Sequence, residues 1–363
     1  MMTVMTLGEL AELVEGRVIG DADLKITTAL PLLSAESGCI TLVDNARYAE
    51  ALGRSPAAAA VVPEGFPSAS QSLLVVAKPH AAFEKIIIAL RGQRSVAPTG
   101  IDPSASIHPS AQIGRDVTIF PHAVIGAGSV VGDGTTIHSG VQIMTDCRVG
   151  KDCCIYPNAT LYDGTLVGDR VTLHAGVVLG AFGFGYRMVA GKHVRTAQLG
   201  WVEVHDDAEL GACTTVDRGT YGPTVIGEGS KLDNQVMIGH NCRIGKHNLL
   251  CAHVGIAGSS TTGDYVVMGG QVGIKDHLHI QDRVVIAAQA GVMTDIPAGE
   301  VWQGSPAAPQ KHSMMQIAIT RKLPEMRQQL RDIEHELAEL RDAIRSSTDE
   351  SSTACDDSER RAA

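Results

Sequence analysis

Residues 111–143 read AQIGRDVTIFPHAVIGAGSVVGDGTTIHSGVQI. Within this stretch every sixth residue, from Ile113 to Ile143, is Ile or Val. The same step extends back to Ile101 and forward to Leu179, and all fourteen positions along it are Ile, Val or Leu. A match of this length does not arise by chance, so the six-residue repeat is the feature that decides the fold.

The repeat is interrupted twice. Its register is lost after Leu179 and resumes near Val204, and a second, shorter insertion follows at residues 221–224. From Ile226 to Val292 the step of six is continuous again, with Thr262 as its single polar member. We therefore predict one repeat domain that carries two inserted loops.

A six-residue period indicates one short strand followed by one turn. The apolar first residue points inward, and Gly or Asn at the corner accepts the positive φ of a tight turn. Three such units close a triangular coil of eighteen residues, and successive coils stack at about 4.8 Å, like neighbouring strands of a sheet. Each coil covers the apolar edge of the previous one, so stability is a sum over neighbours. The expected fold is mainly β, a parallel β-helix.

This pattern resembles that of the hexapeptide-repeat acyltransferases, whose β-helix is left-handed. The handedness is implied by the resemblance alone, because parallel crossover connections are otherwise almost always right-handed. The alternative is a repeat scaffold without catalytic activity, and only the side chains at the corners distinguish the two.

The N-terminal segment, residues 1–100, lacks the repeat. A short amphipathic helix begins near Leu7, apolar strands are predicted at residues 61–62 and 73–76, and a second helix is predicted at residues 81–90. These elements indicate a small α/β domain.

The repeat domain is assigned to residues 101–310, after a junction marked by Pro98. Residues 311–345 change to a heptad of apolar residues, with the seam Leu323, Met326, Leu330, Ile333, Leu337, Leu340 and Ile344. This helix either packs on its own domain or forms a bundle around a trimer axis, and Leu at a with Ile at d favours more than two strands. Residues 346–363 are rich in Ser, Asp, Glu and Arg, so we expect a disordered tail there.

The composition limits the possible classes of function. A net charge of −10 argues against a general nucleic-acid-binding protein. The eight cysteines show no paired C-x-x-C spacing, so we expect reduced thiols, no zinc site and a cytoplasmic location. The N-terminus has no signal-peptide pattern, and no apolar run is long enough to form a transmembrane segment. No cofactor is implied.

His240, in the stretch DNQVMIGHN (residues 233–241), is the leading candidate for chemistry. An enzyme that forms an amide has to remove a proton from the attacking amine, and a neutral imidazole suits this task near pH 7. Gly258 lies eighteen residues on, one coil further along the same face, so its backbone N–H is a candidate oxyanion donor. His277 lies about two coils away, at roughly 10 Å, and is a candidate for supporting another part of the substrates.

Two other kinds of chemistry compete with a general base. A covalent acyl-enzyme is not expected, because no Ser or Cys lies beside His240 in a nucleophile–base motif. Gamma-class carbonic anhydrases use the same type of helix and bind zinc through three histidines, two of them five residues apart. Neither His240 nor His277 has another His five residues away, which argues against such a metal site.

Several stretches carry a more specific resemblance, namely TLGELA (6–11), NARY (45–48), FGY (184–186), GACTTVDRG (211–219) and the stretch around His240. Together they resemble the UDP-3-O-(3-hydroxyacyl)glucosamine N-acyltransferases of lipid A biosynthesis. The resemblance extends over about residues 3–345, in the same domain order.

The resemblance implies a homotrimer with active sites between subunits, with His240 as general base and His277 as a supporting residue. It also implies that the N-terminal domain binds uridine through Asn45 and Tyr48, since Tyr stacks on a base and Asn pairs with its polar edge. Leu42 stands where the family often has Phe. Because Leu cannot stack aromatically, we expect a weaker or differently shaped nucleotide pocket.

The implied substrates are a 3-hydroxyacyl chain on acyl carrier protein and UDP-3-O-(3-hydroxyacyl)glucosamine. Because the carrier is acidic, a basic patch is expected, and Lys311, Arg321 and Lys322 are candidates for it. The nearest rival is the related O-acyltransferase that acts on UDP-N-acetylglucosamine. The separate N-terminal domain and the C-terminal heptads argue against that assignment.

The acyl chain is expected to lie in a groove over the final coils. The candidate lining residues are Ala288, Gly291 and Met293. Small residues dominate at positions 287–291, so we predict a deep groove that accepts a long chain.

Overall fold

The chain folds into two compact units, residues 1–97 and 98–363. The predicted junction at Pro98 lies outside the described residues. A computed structural model describes residues 3–67, 69–92, 100–305 and 309–359, with side chains as far as residue 342.

The first unit is an α/β domain. Its elements are β1 (Met5–Thr6), α1 (Leu7–Leu13), β2 (Arg17–Ile19), β3 (Lys25–Ile26), β4 (Thr28–Ala29), a 3-10 turn (Leu32–Ser34), β5 (Cys39–Leu42), a second 3-10 turn (Ala46–Tyr48), α2 (Ala49–Gly53), β6 (Ala59–Pro63), β7 (Ser72–Val76) and α3 (Pro79–Arg91). The sheet order is β2-β7-β6-β5-β4, and only the β2–β7 pair is antiparallel. The helices and strands predicted for this segment are all present.

Helix α1 begins at a capping box. The Thr6 hydroxyl accepts a hydrogen bond from the Glu9 N–H at 3.2 Å, and the Glu9 carboxylate accepts one from the Thr6 N–H at 2.7 Å. These reciprocal bonds satisfy two N–H groups that the first turn leaves unpaired. Leu7 and Leu10 then fall on the buried face of the helix. The TLGELA stretch is thus the start signal of a helix.

The second unit is a parallel β-helix, as predicted. The strands before the first insertion are β8 (Ser106–Ile107), β9 (Gln112–Ile113), β10 (Thr118–Ile119), β11 (Val124–Ile125), β12 (Val130–Val131), β13 (Thr136–Ile137), β14 (Gln142–Ile143), β15 (Arg148–Val149), β16 (Cys154–Ile155), β17 (Thr160–Leu161), β18 (Leu166–Val167), β19 (Thr172–Leu173) and β20 (Val178–Ala181). The insertion carries an antiparallel hairpin of β21 (Tyr186–Val189) and β22 (Lys192–Arg195).

The strands after the hairpin continue the same coil. They are β23 (Val202–Val204), β24 (Glu209–Leu210), β25 (Thr215–Asp217), β26 (Thr224–Ile226), β27 (Lys231–Leu232), β28 (Met237–Ile238), β29 (Arg243–Ile244), β30 (Leu249–Leu250), β31 (Gly255–Ile256), β32 (Thr261–Thr262), β33 (Val267–Met268), β34 (Gly273–Ile274), β35 (His279–Ile280), β36 (Val285–Ile286), β37 (Gly291–Val292) and β38 (Val301–Trp302).

Every third strand pairs in parallel, so three strands form one coil and three sheets form the sides of the prism. The repeat residue of each strand points inward, and from Ile119 to Val292 every position of the six-residue repeat is buried. β17 pairs with β20 and β18 pairs with β23, so the ladder continues across the first insertion. The second insertion lies between Asp217 and Thr224, close to the predicted place.

Thr262, the polar member of the repeat, is buried and has hydrogen-bond partners. Its hydroxyl accepts from the Gly245 N–H at 3.0 Å and from the Asn248 amide at 2.6 Å. Asn248 is fully buried, and its carbonyl accepts from the Val266 N–H at 2.6 Å. A buried hydroxyl costs little when its hydrogen bonds are made, so the exception does not break the coil.

The C-terminal helix α4 (Gln310–Glu359) is longer than predicted. Residues 346–359 are helical, where the sequence predicts a disordered tail. Residues 325–359 contain neither Gly nor Pro, so nothing in this stretch interrupts the backbone hydrogen bonds. No described helix is long and apolar enough to cross a membrane.

The heptad seam of α4 is about half exposed and is not buried against any part of the chain that the structure describes. Leu323, Met326, Leu330, Ile333 and Leu337 are each 45–61% exposed. The structure therefore does not support the alternative in which this helix packs on its own domain.

Candidate active site

His240 occupies a corner of the coil, directly after β28. In the coil register, Gly258 lies one coil further on, and Asp276 takes the same position two coils further on. The corner residues that follow them have positive φ, at Asn241 (63°), Ser259 and His277 (59°). His277 therefore takes the same position in its coil as Asn241 does, and not the position of His240.

The His240 ring is held between two glycines that are distant in sequence. A Cβ on Gly183 would lie 2.6 Å from the His240 Cβ, and a Cβ on Gly258 would lie 2.7 Å from its Nε2. Any side chain at either position would displace the imidazole. Gly183 belongs to the inserted loop, so this loop helps to fix the ring.

A hydrogen-bond network fixes the tautomer of His240. The Asn241 Oδ1 accepts from the Thr220 backbone N–H at 2.8 Å, so the oxygen of the amide faces this side. The His240 Nδ1 lies 3.1 Å from that oxygen and has to donate to it. In the neutral ring, Nε2 therefore keeps its lone pair and can accept a proton. The buried Gln198 extends the network, with its Oε1 3.2 Å from the Thr220 hydroxyl.

The backbone N–H of Gly258 is a second free group at this corner. It donates to no acceptor among the residues that the structure describes. At corresponding corners, the same N–H is accepted by an Asp of the next coil, as in Lys246 to Asp264 at 2.7 Å. The next-coil residue of Gly258 is Asp276, whose carboxylate lies 3.9 Å from His277. The site thus combines a free base with a free N–H donor.

Cys242 lies two residues after His240 but belongs to the core. Its side chain is fully buried, and the thiol donates to the Ala257 carbonyl at 3.2 Å. Burial raises the pKa of the Cys242 thiol to about 11. A neutral, inward-facing thiol is a poor nucleophile, so this residue is structural.

Asp217 is a charged group buried beside the site, with 8% of its surface exposed. Burial raises the pKa of its carboxyl to about 6, and the nearby His240 acts in the opposite direction. Above this pH the site therefore holds a negative charge close to the imidazole.

We expect Asp217→Asn to stabilise the protein at pH 7.5 but not at pH 4. Folding raises the pKa of the Asp217 carboxyl, so between about pH 4 and pH 6 the folded state binds a proton that the unfolded state does not. The free energy of unfolding therefore falls as the pH rises through this window. A shift of this size corresponds to about 2–3 kcal/mol, which the neutral amide avoids. Denaturant unfolding at both pH values measures the difference. An equal difference at both would contradict the expectation.

His277 is an exposed corner residue, with 74% of its side chain accessible. Its backbone N–H donates to the Gly258 carbonyl at 3.2 Å, which stabilises the coil next to the candidate N–H donor. Its ring contacts only its neighbour Asp276 among the described side chains. The structure brings His240 and Gly258 together, and it places His277 further along the same edge.

The uridine candidates lie together in the N-terminal unit. Asn45 caps the 3-10 turn, and its Oδ1 accepts from the Arg47 N–H at 3.0 Å, while its amide NH₂ donates to no residue that the structure describes. The Tyr48 ring is 40% exposed, with the Arg47 guanidinium 4.6 Å from its centroid and donating to its hydroxyl at 2.7 Å. Leu42 is half-buried against the core of the domain.

The groove candidates all lie on the last full coil. Gly291 is the outward residue of β37, while Ala288 and Met293 flank this strand, and Met293 is 67% exposed. In register with Gly291 are Gly273 and Gly255 on the two preceding coils. A Cβ at any of these three glycines would meet nothing within 4 Å. Their strands thus form a smooth strip, which we call the glycine strip, that starts beside Met237 of β28.

The sequence interpretation missed several residues that shape the site. Gly183 and Thr220 come from the two insertions, and only the folded chain shows that they reach His240. Asp217 lies within GACTTVDRG, and Asn241 directly follows His240. Both residues thus stand in motifs that the sequence analysis quotes, but it predicts no role for either. Asp217 follows the inward repeat residue Val216, so the six-residue period did not mark it as buried.

Comparison with known proteins places this geometry in a family. The family profile described as UDP-3-O-(3-hydroxymyristoyl) glucosamine N-acyltransferase, LpxD, matches residues 23–88. The profile of the bacterial transferase hexapeptide, six repeats, matches residues 110–145, 128–162, 146–181 and 223–258.

Two relatives match over most of the chain. The UDP-3-O-acylglucosamine N-acyltransferase of Rhodopirellula baltica is 48% identical and covers 88% of this chain and 83% of its own. The enzyme of the same name from Syntrophotalea carbinolica is 39% identical and covers 94% of this chain and 99% of its own. The chain belongs to the UDP-3-O-acylglucosamine N-acyltransferase family. It is an acyltransferase with a parallel β-helix of hexapeptide repeats.

One solved structure is similar to part of this chain. The UDP-N-acetylglucosamine O-acyltransferase (LpxA) of Moraxella catarrhalis is 25% identical to this acyltransferase, with a TM-score of 0.44. The similarity covers 60% of this chain and 77% of that one.

Proposed function

We propose that this acyltransferase transfers a 3-hydroxyacyl chain from acyl carrier protein to the 2-amine of UDP-3-O-(3-hydroxyacyl)glucosamine in lipid A biosynthesis, with His240 as general base. The observation that carries the proposal is the fixed tautomer of His240, whose free Nε2 lies beside the unpaired Gly258 N–H. A proton acceptor and an oxyanion donor at one corner are what amide formation from a thioester requires.

The reaction is a direct transfer. The amine lone pair attacks the thioester carbonyl carbon, and the Gly258 N–H donates to the oxygen as it becomes negative. His240 Nε2 takes the proton from the attacking nitrogen. The tetrahedral intermediate then collapses, the C–S bond breaks, and the imidazolium returns the proton to the leaving thiolate.

The positioning of His240 is open to a direct test at Asn241. We expect Asn241→Ala to lower kcat by about tenfold or more while KM changes little, because the ring loses the bond that fixes its tautomer. Asn241→Asp keeps an acceptor oxygen and should retain more activity, with a pH–rate profile displaced to higher pH by the added negative charge. Equal kcat in both variants and the parent would contradict a positioning role.

The proposed assembly is a cytoplasmic homotrimer with active sites between subunits. The support is the α4 seam, whose half-exposed Leu and Ile residues have no partner within the described part of the chain. Burying such a seam between three helices removes apolar surface from water, which favours association. A trimer also allows His277, from its exposed corner, to contact substrate groups beyond the reach of His240.

The N-terminal unit is the proposed uridine site. The free Asn45 NH₂ suits a carbonyl of the uracil ring, and the exposed Tyr48 ring offers a stacking face. Arg47 already covers part of Tyr48, so the base stacks on the other face or displaces the guanidinium. Leu42 contributes an apolar contact in place of a second ring.

The carrier protein is proposed to dock near the start of α4. Lys311, Arg321 and Lys322 are exposed there and offer positive charge to an acidic partner. The acyl chain is proposed to lie along the glycine strip toward Gly291, with Ala288 and Met293 at its sides.

The test of the function is mass spectrometry of a reaction mixture. Purified protein receives 3-hydroxyacyl carrier protein with either UDP-3-O-acylglucosamine or UDP-N-acetylglucosamine. We expect one added acyl mass on the first acceptor only. Acylation of the acetylated sugar would instead assign the O-acyltransferase reaction, and no product with either acceptor would favour a non-catalytic scaffold.

A further inference from the structure

The hairpin of the first insertion is an exposed cationic arm on an acidic protein. Between Arg170 and Glu203 the chain contains no Asp or Glu. The hairpin itself carries Arg187, Lys192 and Arg195, all exposed. None of the three is hydrogen-bonded or ion-paired through its side chain to any residue that the structure describes. Their charge is therefore available to an anion.

Arg195 is distinguished from the other two by its position. Its guanidinium Cζ lies 4.4 Å from the centroid of the Phe182 ring, a cation–π geometry that holds the group in place. Phe182 directly precedes Gly183, the glycine that packs on the His240 ring. The fixed cation is therefore attached to the loop that forms one wall of the catalytic corner.

The guanidinium of Arg218 also lies near the Phe182 ring, but two of its donors already make hydrogen bonds. Arg218 lies 5.2 Å from the Phe182 centroid and is buried. Its Nε donates to the Gly180 carbonyl at 2.7 Å, and its Nη2 donates to the Asp163 carbonyl at 3.2 Å. Arg218 thus holds the base of the insertion, while the donors of Arg195 remain free.

We infer that Arg195 binds the diphosphate of the nucleotide-sugar acceptor. The inference rests on the proposed function, in which the C2 amine of the sugar lies at His240. The diphosphate is attached to C1, the adjacent carbon, so it has to lie close to the same corner. A planar guanidinium with free donors matches two phosphate oxygens at once, which a lysine cannot do.

The experiment compares Arg195→Gln with Arg187→Gln on the full-length protein. Arg187 pairs with Val194 and lies on the opposite face of the hairpin from Arg195, so its substitution removes the same charge from the same element. Calorimetry measures the Kd of UDP and of uridine for each variant. We expect Arg195→Gln to raise the Kd of UDP about tenfold and the Kd of uridine less than twofold. Arg187→Gln should change neither Kd by more than twofold. Arg195→Lys should fall between the parent and Arg195→Gln.

Three outcomes would overturn the inference. The first is a parent protein that binds UDP no more tightly than uridine. The second is an equal loss in the two Gln variants, which would indicate a diffuse effect of charge. The third is an increase in KM for the acyl carrier protein alone in Arg195→Gln, which would assign the hairpin to that partner.

The binding assay does not depend on catalysis. If the parent prefers UDP and Arg195→Gln loses that preference, but no acylated product forms, then the proposed function fails and the diphosphate subsite stands. If product forms and Arg195→Gln binds UDP like the parent, the function stands and the subsite is wrong.

Discussion

Replacing His240 by Ala is expected to lower kcat for N-acyl transfer by about 10²–10⁴-fold, the usual contribution of a positioned general base. The ring is held between two glycines, and its Nδ1–H is directed at Asn241, so Nε2 is free to take the proton. Without it, the amine has to lose its proton to water. Steady-state kinetics with both substrates saturating measures the loss.

His253→Ala is the matched control for this variant. His253 is an exposed corner histidine with positive φ (61°), and it lies on another edge of the coil. Its substitution makes the same chemical change without touching the site, so kcat should stay within about twofold. If His240→Ala keeps more than a tenth of the parent kcat while its oligomeric state is unchanged, the general-base assignment is wrong.

The β-helix could be predicted from the sequence because its information is local. Each coil needs an apolar residue every six positions, and this is visible in a short window. The corner with positive φ is less visible, because residues as different as His122, Arg170 and Tyr265 occupy it. Even the polar exception was visible at Thr262, although its partner Asn248 was not, because that bond joins residues fourteen apart across two sides of the coil. The period therefore fixes the architecture, and the folded chain supplies the polar details.

The catalytic corner was only half predictable. His240 and Gly258 differ by one coil, so the period alone places them in line. The Gly183 contact and the Thr220 bond depend on how the two insertions fold back, and no periodic signal describes an insertion. No insertion separates His277 from His240, and its distance of 37 residues, one more than two coils, already places it in the register of Asn241.

The end of α4 shows a different limit. Composition predicted disorder after residue 345 because few apolar residues follow it. Helix formation, however, depends first on the absence of Gly and Pro once a helix is nucleated, and α4 continues to Glu359. A polar composition indicates that a segment is exposed to solvent. It does not by itself end a helix.

The second large effect is expected along the glycine strip, where a bulky side chain should shorten the acyl chain that the enzyme accepts. The strip runs from Met237 over Gly255, Gly273 and Gly291, three strand spacings or about 14 Å. An extended chain advances about 1.2 Å per bond, as a fully extended backbone does, so one strand spacing corresponds to about four carbons. Each glycine thus marks a position along the donor chain.

Leu at each of the three positions should therefore set a different limit on donor length. We expect Gly255→Leu to accept only the shortest donor chains. Gly273→Leu should accept chains about four carbons longer than Gly255→Leu does, and Gly291→Leu chains about four carbons longer than Gly273→Leu does. Past its limit, each variant should lose about 100-fold in kcat/KM, since four unburied methylenes cost about 3 kcal/mol. Short donors should react at the parent rate in Gly273→Leu and Gly291→Leu, because the open space at these glycines allows the new side chain without strain.

Gly53→Leu is the control, because Gly53 also has open space around it but belongs to α2 in the other unit. It should leave the dependence on donor length unchanged. Equal losses for short and long donors in all three strip variants would mean that the new side chains disturb the coil and not a groove. A parent enzyme that transfers medium chains fastest and rejects longer ones would refute the deep groove itself, because the strip would then end before Gly291.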